Sequence, residues 1–300
     1  MLKNERMRKQ FKNHIYSGKA LQLPVAPDAL AAKIAEKLGF DAVFSAGYAT
    51  SASAFAMPDR GVTDFGKSLE HTRDIINAVD IPVFADSDTG YGDLENVRRT
   101  VENYEAIGAA GIFIEDQVWP KRCGHMSGKM VEPTETLEEK IKVAVAARKN
   151  DDFLIMSRTD ARTVYDLEEA IERSRRYKAA GADLIFIESP RSFEEFEEIH
   201  EAFPDTFMMA NMIEGGLTPL TKTAELEKLG FNIIVYPTAL TYAQAYTEKN
   251  LLQTLLDEGT TENYQDKMIT FDEFNDFIGL DEVNQRDSAY APENMLKYMN

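Results

Sequence analysis

Four times along the chain a helical pattern ends at a glycine and runs directly into a short, unbroken apolar stretch. Leu38-Gly39-Phe40-Asp41 leads into Ala42-Val43-Phe44, and Ala110-Gly111 into Ile112-Phe113-Ile114. Ala180-Gly181-Ala182-Asp183 leads into Leu184–Ile187, and Leu229-Gly230-Phe231-Asn232 into Ile233-Ile234-Val235. Glycine accepts the left-handed conformation that closes a helix. The apolar run after it is the signature of a strand buried on both faces. Similar runs at Ala20–Val25, Ile81–Ala85, Phe153–Met156 and Phe207–Ala210 bring the predicted strands to eight. Helical periodicity separates them over Asn96–Ala106, Leu137–Ala147, Leu167–Tyr177 and Thr223–Leu229. Strands alternating with helices require right-handed crossovers and a parallel sheet. Eight such units over roughly 240 residues predict an α/β fold of the (β/α)8 TIM-barrel type. A doubly wound open sheet is the alternative, weakened because no G-x-G-x-x-G follows the first strand.

No Pro-, Gly- or Ser-rich linker divides the chain. After residue 258 the pattern turns acidic and polar, with apolar clusters at Phe271-Phe274-Phe277 and Met295-Tyr298. The expected organisation is a catalytic barrel over 1–258 and a helical tail over 259–300, packed on the barrel or on a neighbouring subunit. The basic start, Met1 to His14, lacks the apolar run of a signal peptide and predicts an amphipathic helix. No stretch approaches the ~18 apolar residues of a membrane helix. A cytoplasmic protein with no membrane contact is expected.

Composition narrows the partners. With 33 basic and 51 acidic residues the formal charge is −18, which disfavours a nucleic-acid partner. One cysteine, Cys123, excludes an intrachain disulfide. The four histidines, His14, His71, His125 and His200, are too scattered for a His-rich metal site.

In a barrel of this type catalytic groups sit at the C-terminal ends of the strands. Here those ends are polar: Ser45-Ala46-Gly47-Tyr48, Asp86-Ser87-Asp88, Glu115-Asp116, Arg158-Thr159-Asp160, Glu188 and Asn211. Asp86, Asp88 and Glu115, from adjacent strands, form an oxygen-rich trio suited to Mg²⁺ or Mn²⁺. The loop from Trp119 to Lys129 sets Cys123 among Lys121, Arg122 and His125. Neighbouring cations are expected to lower the thiol pKa, and two glycines suit a mobile lid. Arg158 is a carboxylate anchor, with an ion pair to Asp160 or Glu188 as its alternative role. Asn211 and Glu188 can bond a hydroxyl or second carboxylate, and the loop Met212–Pro219 can offer backbone amides. Metal, arginine and thiol together suggest enolate chemistry: cleavage of a C–C bond beside a 2-oxo or 2-hydroxy carboxylate, with the thiol protonating carbon.

These residues resemble the isocitrate lyase/phosphoenolpyruvate mutase superfamily. The resemblance rests on Pro58-Asp59, Asp86–Gly92, Glu115-Asp116-Gln117, Lys121-Arg122-Cys123-Gly124-His125, Arg158–Ala161 and Asn211–Gly216. The Lys-Arg-Cys-Gly-His segment marks the C–C lyase branch, and carboxyphosphonoenolpyruvate mutases share it. The resemblance implies a barrel whose last helix swaps between subunits of a homotetramer. It implies Mg²⁺ near Asp86, Asp88, Glu115 and Asp59. It implies Cys123 as acid/base, with Lys121, Arg122, His125 and Glu188 completing the catalytic set. Substrate would meet Ala46, Gly47, Tyr48, Gly124, Arg158, Asn211, Glu214 and Gly215. Asn211–Gly216, Val118-Trp119-Pro120 and Gly47-Tyr48 are most similar to the petal death protein and 2,3-dimethylmalate lyase group. The implied substrate is a 2-hydroxydicarboxylate: a 2-alkylmalate such as 2,3-dimethylmalate, or 2-methylisocitrate. The alternatives are a carboxyphosphonoenolpyruvate mutase, an oxaloacetate hydrolase or decarboxylase, and more remotely a non-catalytic metabolite-binding barrel. Similar oxaloacetate hydrolases carry serine where this chain has Pro237. Phe44 and Ala46 also stand where hydroxyl or ring groups are common, leaving backbone amides of Ala46 and Gly47 for a carboxylate.

Overall fold

The structure, a computed structural model, describes residues 1–290. The expected Met295-Tyr298 cluster therefore lies outside the described residues. Eight strands form: β1 (Leu21–Pro24), β2 (Val43–Ser45), β3 (Val83–Asp86), β4 (Gly111–Glu115), β5 (Leu154–Thr159), β6 (Leu184–Ile187), β7 (Phe207–Asn211) and β8 (Phe231–Tyr236). All neighbours run parallel, in the order β1-β8-β7-β6-β5-β4-β3-β2. A parallel bridge between Val25 and Phe44 joins β1 to β2 and brings the sheet close to a ring. This is the TIM-type barrel that the alternation of strand and helix predicts. The basic start folds as the helix Lys3–Tyr16, burying Met7, Phe11 and Ile15.

Strand periodicity of two explains how the barrel presents chemistry. Successive side chains point to opposite faces. Leu23, Phe44, Phe84, Phe113, Met156, Phe186, Met209 and Val235 fill the barrel interior. Residues one position away, such as Val43, Ile112, Ile155 and Ile185, pack instead beneath the helices. Two residues beyond the interior set, the inward positions become Ala46, Asp86, Glu115, Arg158, Glu188, Asn211 and Pro237. The polar rim is thus the last inward layer of an apolar barrel. Aspartates start several of the surrounding helices: Asp28, Asp64 and Asp166 each accept the amide hydrogen three residues on, which satisfies an end the helix leaves open.

The chain divides into two packing units, one ending at Tyr242 and the other beginning at Ala243. The division falls within the helix Ala239–Glu258, which buries none of its residues and ends at the expected limit of the barrel. The second unit continues through the 3-10 turn Glu262–Lys267 and the helices Phe271–Phe277 and Leu280–Tyr290. Tyr264 is buried there, donating from its hydroxyl to the Thr247 carbonyl at 3.4 Å. Phe271, Phe274 and Phe277 form no buried cluster.

Candidate active site

The rim encloses a cavity of about 190 Å³ that opens to solvent. Ala46, Tyr48, Asp59, Asp86, Cys123, Gly124, His125, Arg158, Glu188, Asn211, Glu214 and Gly215 line it, over a floor of Phe44, Phe113, Phe186, Met209 and Val235. Pro237 is also in the wall. Five expected site residues do not line it: Gly47, Asp88, Glu115, Lys121 and Arg122.

Arg158 leaves the end of β5 inside a cage of acids. Its Nε lies 2.9 Å from Asp160 Oδ2 and 3.3 Å from Glu115 Oε2, and its Nη2 lies 3.2 Å from Glu188 Oε2. The guanidinium stands 5.3 Å from the ring centres of both Phe113 and Phe186. The ion pairs the sequence left as an alternative both form. They occupy Nε and Nη2, so Nη1 is the nitrogen outside these bonds.

Glu188 collects donors. Its Oε1 accepts from the Ser189 amide at 2.8 Å and from His125 Nε2 at 3.1 Å, and its Oε2 accepts from Asn211 Nδ2 at 3.2 Å. Burial pushes its carboxyl up, but Arg158 and the His125 bond outweigh burial and hold it at about 2. His125 Nδ1 accepts the Leu217 amide hydrogen at 2.8 Å. That fixes the proton on Nε2, facing Glu188. His125 thus ties the loop after β4 to the loop after β7.

Cys123 is partly buried, with its amide donating to the Asp59 carbonyl at 3.1 Å. The expectation of a depressed thiol pKa is wrong. Burial pushes it up to about 11, and Asp59 and Glu188 add to the rise against the His125 amide and Arg158. Lys121 cannot lower it, because its charge is spent elsewhere. Lys121 Nζ lies 2.8 Å from Asp59 Oδ1 and 2.6 Å from Asp88 Oδ1, fully buried. Arg122 points away from the cavity and braces the loop, donating to the Ser127 carbonyl at 2.7 Å. Lys121 and Arg122 are therefore not in the catalytic cavity.

The strand-2 turn also differs from expectation. The Gly47 amide donates to Asp86 Oδ2 at 2.9 Å, so it is not left for a substrate carboxylate. Ser45 turns outward, 2.9 Å from the Thr72 hydroxyl. Asp86 Oδ1 accepts from the Asp88 amide at 2.8 Å. Glu214 accepts from the Thr238 hydroxyl at 2.6 Å, and Tyr48 meets the Tyr242 hydroxyl at 3.2 Å.

Among the described residues no three Asp, Glu, His or Cys groups converge closely enough to chelate one ion directly. The acidic side still fits a divalent cation. Glu115 is buried with Oε1 lacking a hydrogen-bond partner. Burial raises the carboxyls of Glu115 and Asp88, the latter to about 7. Asp88 also holds a left-handed backbone, φ 47°. Carboxylates in such surplus favour a cation that keeps part of its water shell and meets few protein oxygens, as Mg²⁺ does. Asp59 and Asp86 face the cavity, while Asp88 and Glu115 stand behind them.

Lys129, Ser189, Phe113 and Phe186 are not among the site residues expected from the sequence. Phe113 and Phe186 lie two positions before Glu115 and Glu188, so strand parity alone could have found them.

The phosphoenolpyruvate phosphomutase family profile matches residues 11–256. The 2,3-dimethylmalate lyase of Eubacterium barkeri is 48% identical, over 91% of this chain and 94% of its own. The chloroplastic carboxyvinyl-carboxyphosphonate phosphorylmutase of Arabidopsis thaliana is 42% identical, over 90% of this chain and 80% of its own. A crystal structure of a 2,3-dimethylmalate lyase, described as a PEP mutase/isocitrate lyase superfamily member, superposes with TM-score 0.91 at 31% identity, covering 96% and 97% of the two chains. A phosphonopyruvate hydrolase in complex with oxalate and Mg²⁺ superposes with TM-score 0.85 at 26% identity, covering 97% and 99%. This chain belongs to the phosphoenolpyruvate phosphomutase family, within the PEP mutase/isocitrate lyase superfamily, and is an enzyme of its lyase branch.

Proposed function

We propose that the protein cleaves the C–C bond of a 2-hydroxydicarboxylate, releasing a 2-oxo acid and a carboxylic acid. The favoured substrate is a 2-alkylmalate such as 2,3-dimethylmalate, with 2-methylisocitrate as the second candidate. The observation that carries this reading is the placement of Cys123, a thiol that burial pushes up to about 11, in the wall of a largely apolar cavity that also presents Arg158, Glu188 and Asp86. A thiol that keeps its proton at neutral pH is an acid ready to donate, not a nucleophile.

The chain's own residues divide the work. Arg158 and Asn211 receive a carboxylate at the strand ends. Phe44, Phe113, Phe186 and Met209 offer alkyl groups an apolar floor. Ionised Glu188 holds Arg158, His125 and Asn211 in one arrangement, so little reorganisation accompanies reaction. The hydroxyl proton passes to water, the oxygen forms the carbonyl of the 2-oxo acid, and the C–C bond breaks with its electron pair moving onto the carbon beside the departing carboxylate. Cys123 protonates that carbon. The thiolate left behind is met by the His125 amide and by Arg158, the groups that favour its charged form. A divalent cation held by Asp86, with Asp59, Asp88 and Glu115 around it, would supply Lewis-acid stabilisation of the developing oxyanion. We take it to be Mg²⁺, with Mn²⁺ as a substitute.

A coupled assay for released 2-oxo acid, run with Mg²⁺ over a panel of 2-alkylmalates and 2-methylisocitrate, tests the reading. Turnover is expected with at least one 2-alkylmalate; none on any member sinks it. Carboxyphosphonoenolpyruvate mutation is the second reading, favoured by the Arabidopsis relative, and oxaloacetate loss is the third. Both are scored in parallel, the latter by measuring oxalate and pyruvate separately.

We also propose a homotetramer that exchanges C-terminal helices. Its support is the exposed apolar side chains of the second unit, including Tyr246, Leu252, Leu256, Ile269 and Phe271, which a neighbouring subunit would cover. Sedimentation of the full chain is expected to give four chains; a mass of 33.8 kDa, one chain, would exclude it.

A further inference from the structure

Lys129 closes the loop that carries Cys123, yet it neither lines the cavity nor reaches solvent. Its side chain is 2% exposed. Its ammonium donates to the Gly124 carbonyl and, at 2.6 Å, to Asp160 Oδ1. Asp160 in turn holds Arg158 through Nε at 2.9 Å and Nη2 at 3.3 Å. One cation thus links the turn beside the thiol to the arginine of the substrate site.

The loop has a fixed base and a crown. At the base, the Val118 amide donates to the Met130 carbonyl at 2.9 Å, and Gln117 forms an antiparallel bridge with Val131. Lys129 adjoins this base. Gly124 is in the crown and presses onto the rim: a Cβ there would lie 2.5 Å from Glu188 Oε2 and 2.6 Å from Arg158 Nη2. The Gly124 carbonyl also receives the Ser189 hydroxyl at 3.3 Å. Ser189 is left-handed at φ 63°, a conformation that costs free energy unless its surroundings hold it. The Lys129 charge already has its counter-ion in Asp160. Its second bond, to the neutral Gly124 carbonyl, is therefore not required by charge balance.

We propose that Lys129 is a positioning residue: it clasps the Gly124 carbonyl so that the Cys123 turn stays closed on Arg158 and Glu188. Its effect on turnover rests on the lyase reading above; its effect on closure does not.

Cys123 is the sole cysteine, so its alkylation by iodoacetamide, followed by intact mass, reports closure without catalysis. Rates are compared across pH, which separates access from thiol ionisation. Lys129→Met is expected to raise the pH-independent access factor about tenfold or more, as expected for loss of a charge-assisted bond. kcat on the 2-alkylmalate should fall by a similar factor while KM changes less, because the acid and not the anchor is displaced. Lys129→Arg should recover part of both. Unchanged alkylation in Lys129→Met, accompanied by a lower melting temperature, would overturn the proposal and leave Lys129 a structural ion pair. If that variant does not fold, Lys129→Gln enters the same assay with the same two outcomes. Faster alkylation in a protein that turns over no substrate would keep the clasp and discard the lyase reading.

Discussion

On the β2–β4 side of the rim, Asp59, Asp86, Asp88 and Glu115 share Lys121 and one edge of Arg158. On the β5–β7 side, Asp160 and Glu188 share Arg158, Lys129 and His125. Both sides set buried carboxylates against buried cations: Asp88 and Glu115 on the first, Asp160 and Glu188 on the second. Their titration is opposite. Burial wins on the first side and drives Asp88 to about 7 and Glu115 upward. On the second, paired cations overcome burial and hold Glu188 at about 2 and Asp160 below its usual range. A buried carboxylate is stable only with a partner. The first side has more anions than cations and is complete only with an added cation. The second is complete already and acts as a rigid frame. The thiol lies between the two and keeps its proton because it is buried near acids from both, Asp59 and Glu188.

The largest expected effect removes what the two sides serve. Cys123→Ala should lower turnover by about 10²–10⁴, the range of a general acid, with the fold and Mg²⁺ binding retained. Near-full activity in that variant would mean the proton comes from elsewhere. The next test sets the sides against each other. Arg158→Met leaves both carboxylates of the frame, Asp160 and Glu188, under-paired and should destabilise by ~3–5 kcal/mol. Glu115→Gln should do the reverse in the absence of metal, leaving the melting temperature level or raised, while weakening Mg²⁺ binding by calorimetry. Equal destabilisation by the two would erase the distinction between an incomplete side and a complete one.

Much of this was legible in the chain before folding. The glycine joints and apolar runs placed all eight strands, because a strand buried on both faces admits no other pattern. The same phase placed Asp86, Arg158, Glu188 and Asn211 on one rim. What escaped depended on distance between segments remote in sequence. Positive neighbours in Lys121-Arg122-Cys123 argued for an acidic thiol, but Lys121 turns to Asp59 and Asp88 and Arg122 to Ser127. The Gly47 amide belongs to Asp86, a pairing across two strands. Lys129 is one cation among several in a loop until Asp160, 31 residues on, is found beside it.

The pH response of Cys123 separates the two views of the thiol. With its pKa raised to about 11, the alkylation rate should still be climbing well above the ~8.5 of an ordinary cysteine. A plateau at or below neutrality would restore the depressed thiol and reverse the role assigned to burial.

The smallest effect concerns the frame itself. Glu188 is held at about 2 against an ordinary 4.5. A carboxyl depressed in the folded state contributes stability that is complete above the unfolded value and lost as pH falls through the folded one. Over the interval between them the unfolded chain binds more protons, so stability declines with acid by about 1 kcal/mol per pH unit for each such group. In a chain of this size that corresponds to about 1–2 °C per unit in melting temperature. Asp160, also depressed, steepens the slope at the acid end. Glu188→Gln removes one of the two groups, so its melting curve should decline less steeply between pH 4.5 and 2 even if it starts lower. Parallel curves for the variant and the parent would show that Glu188 is not held ionised by Arg158 and His125, and the frame would lose its charge-paired character.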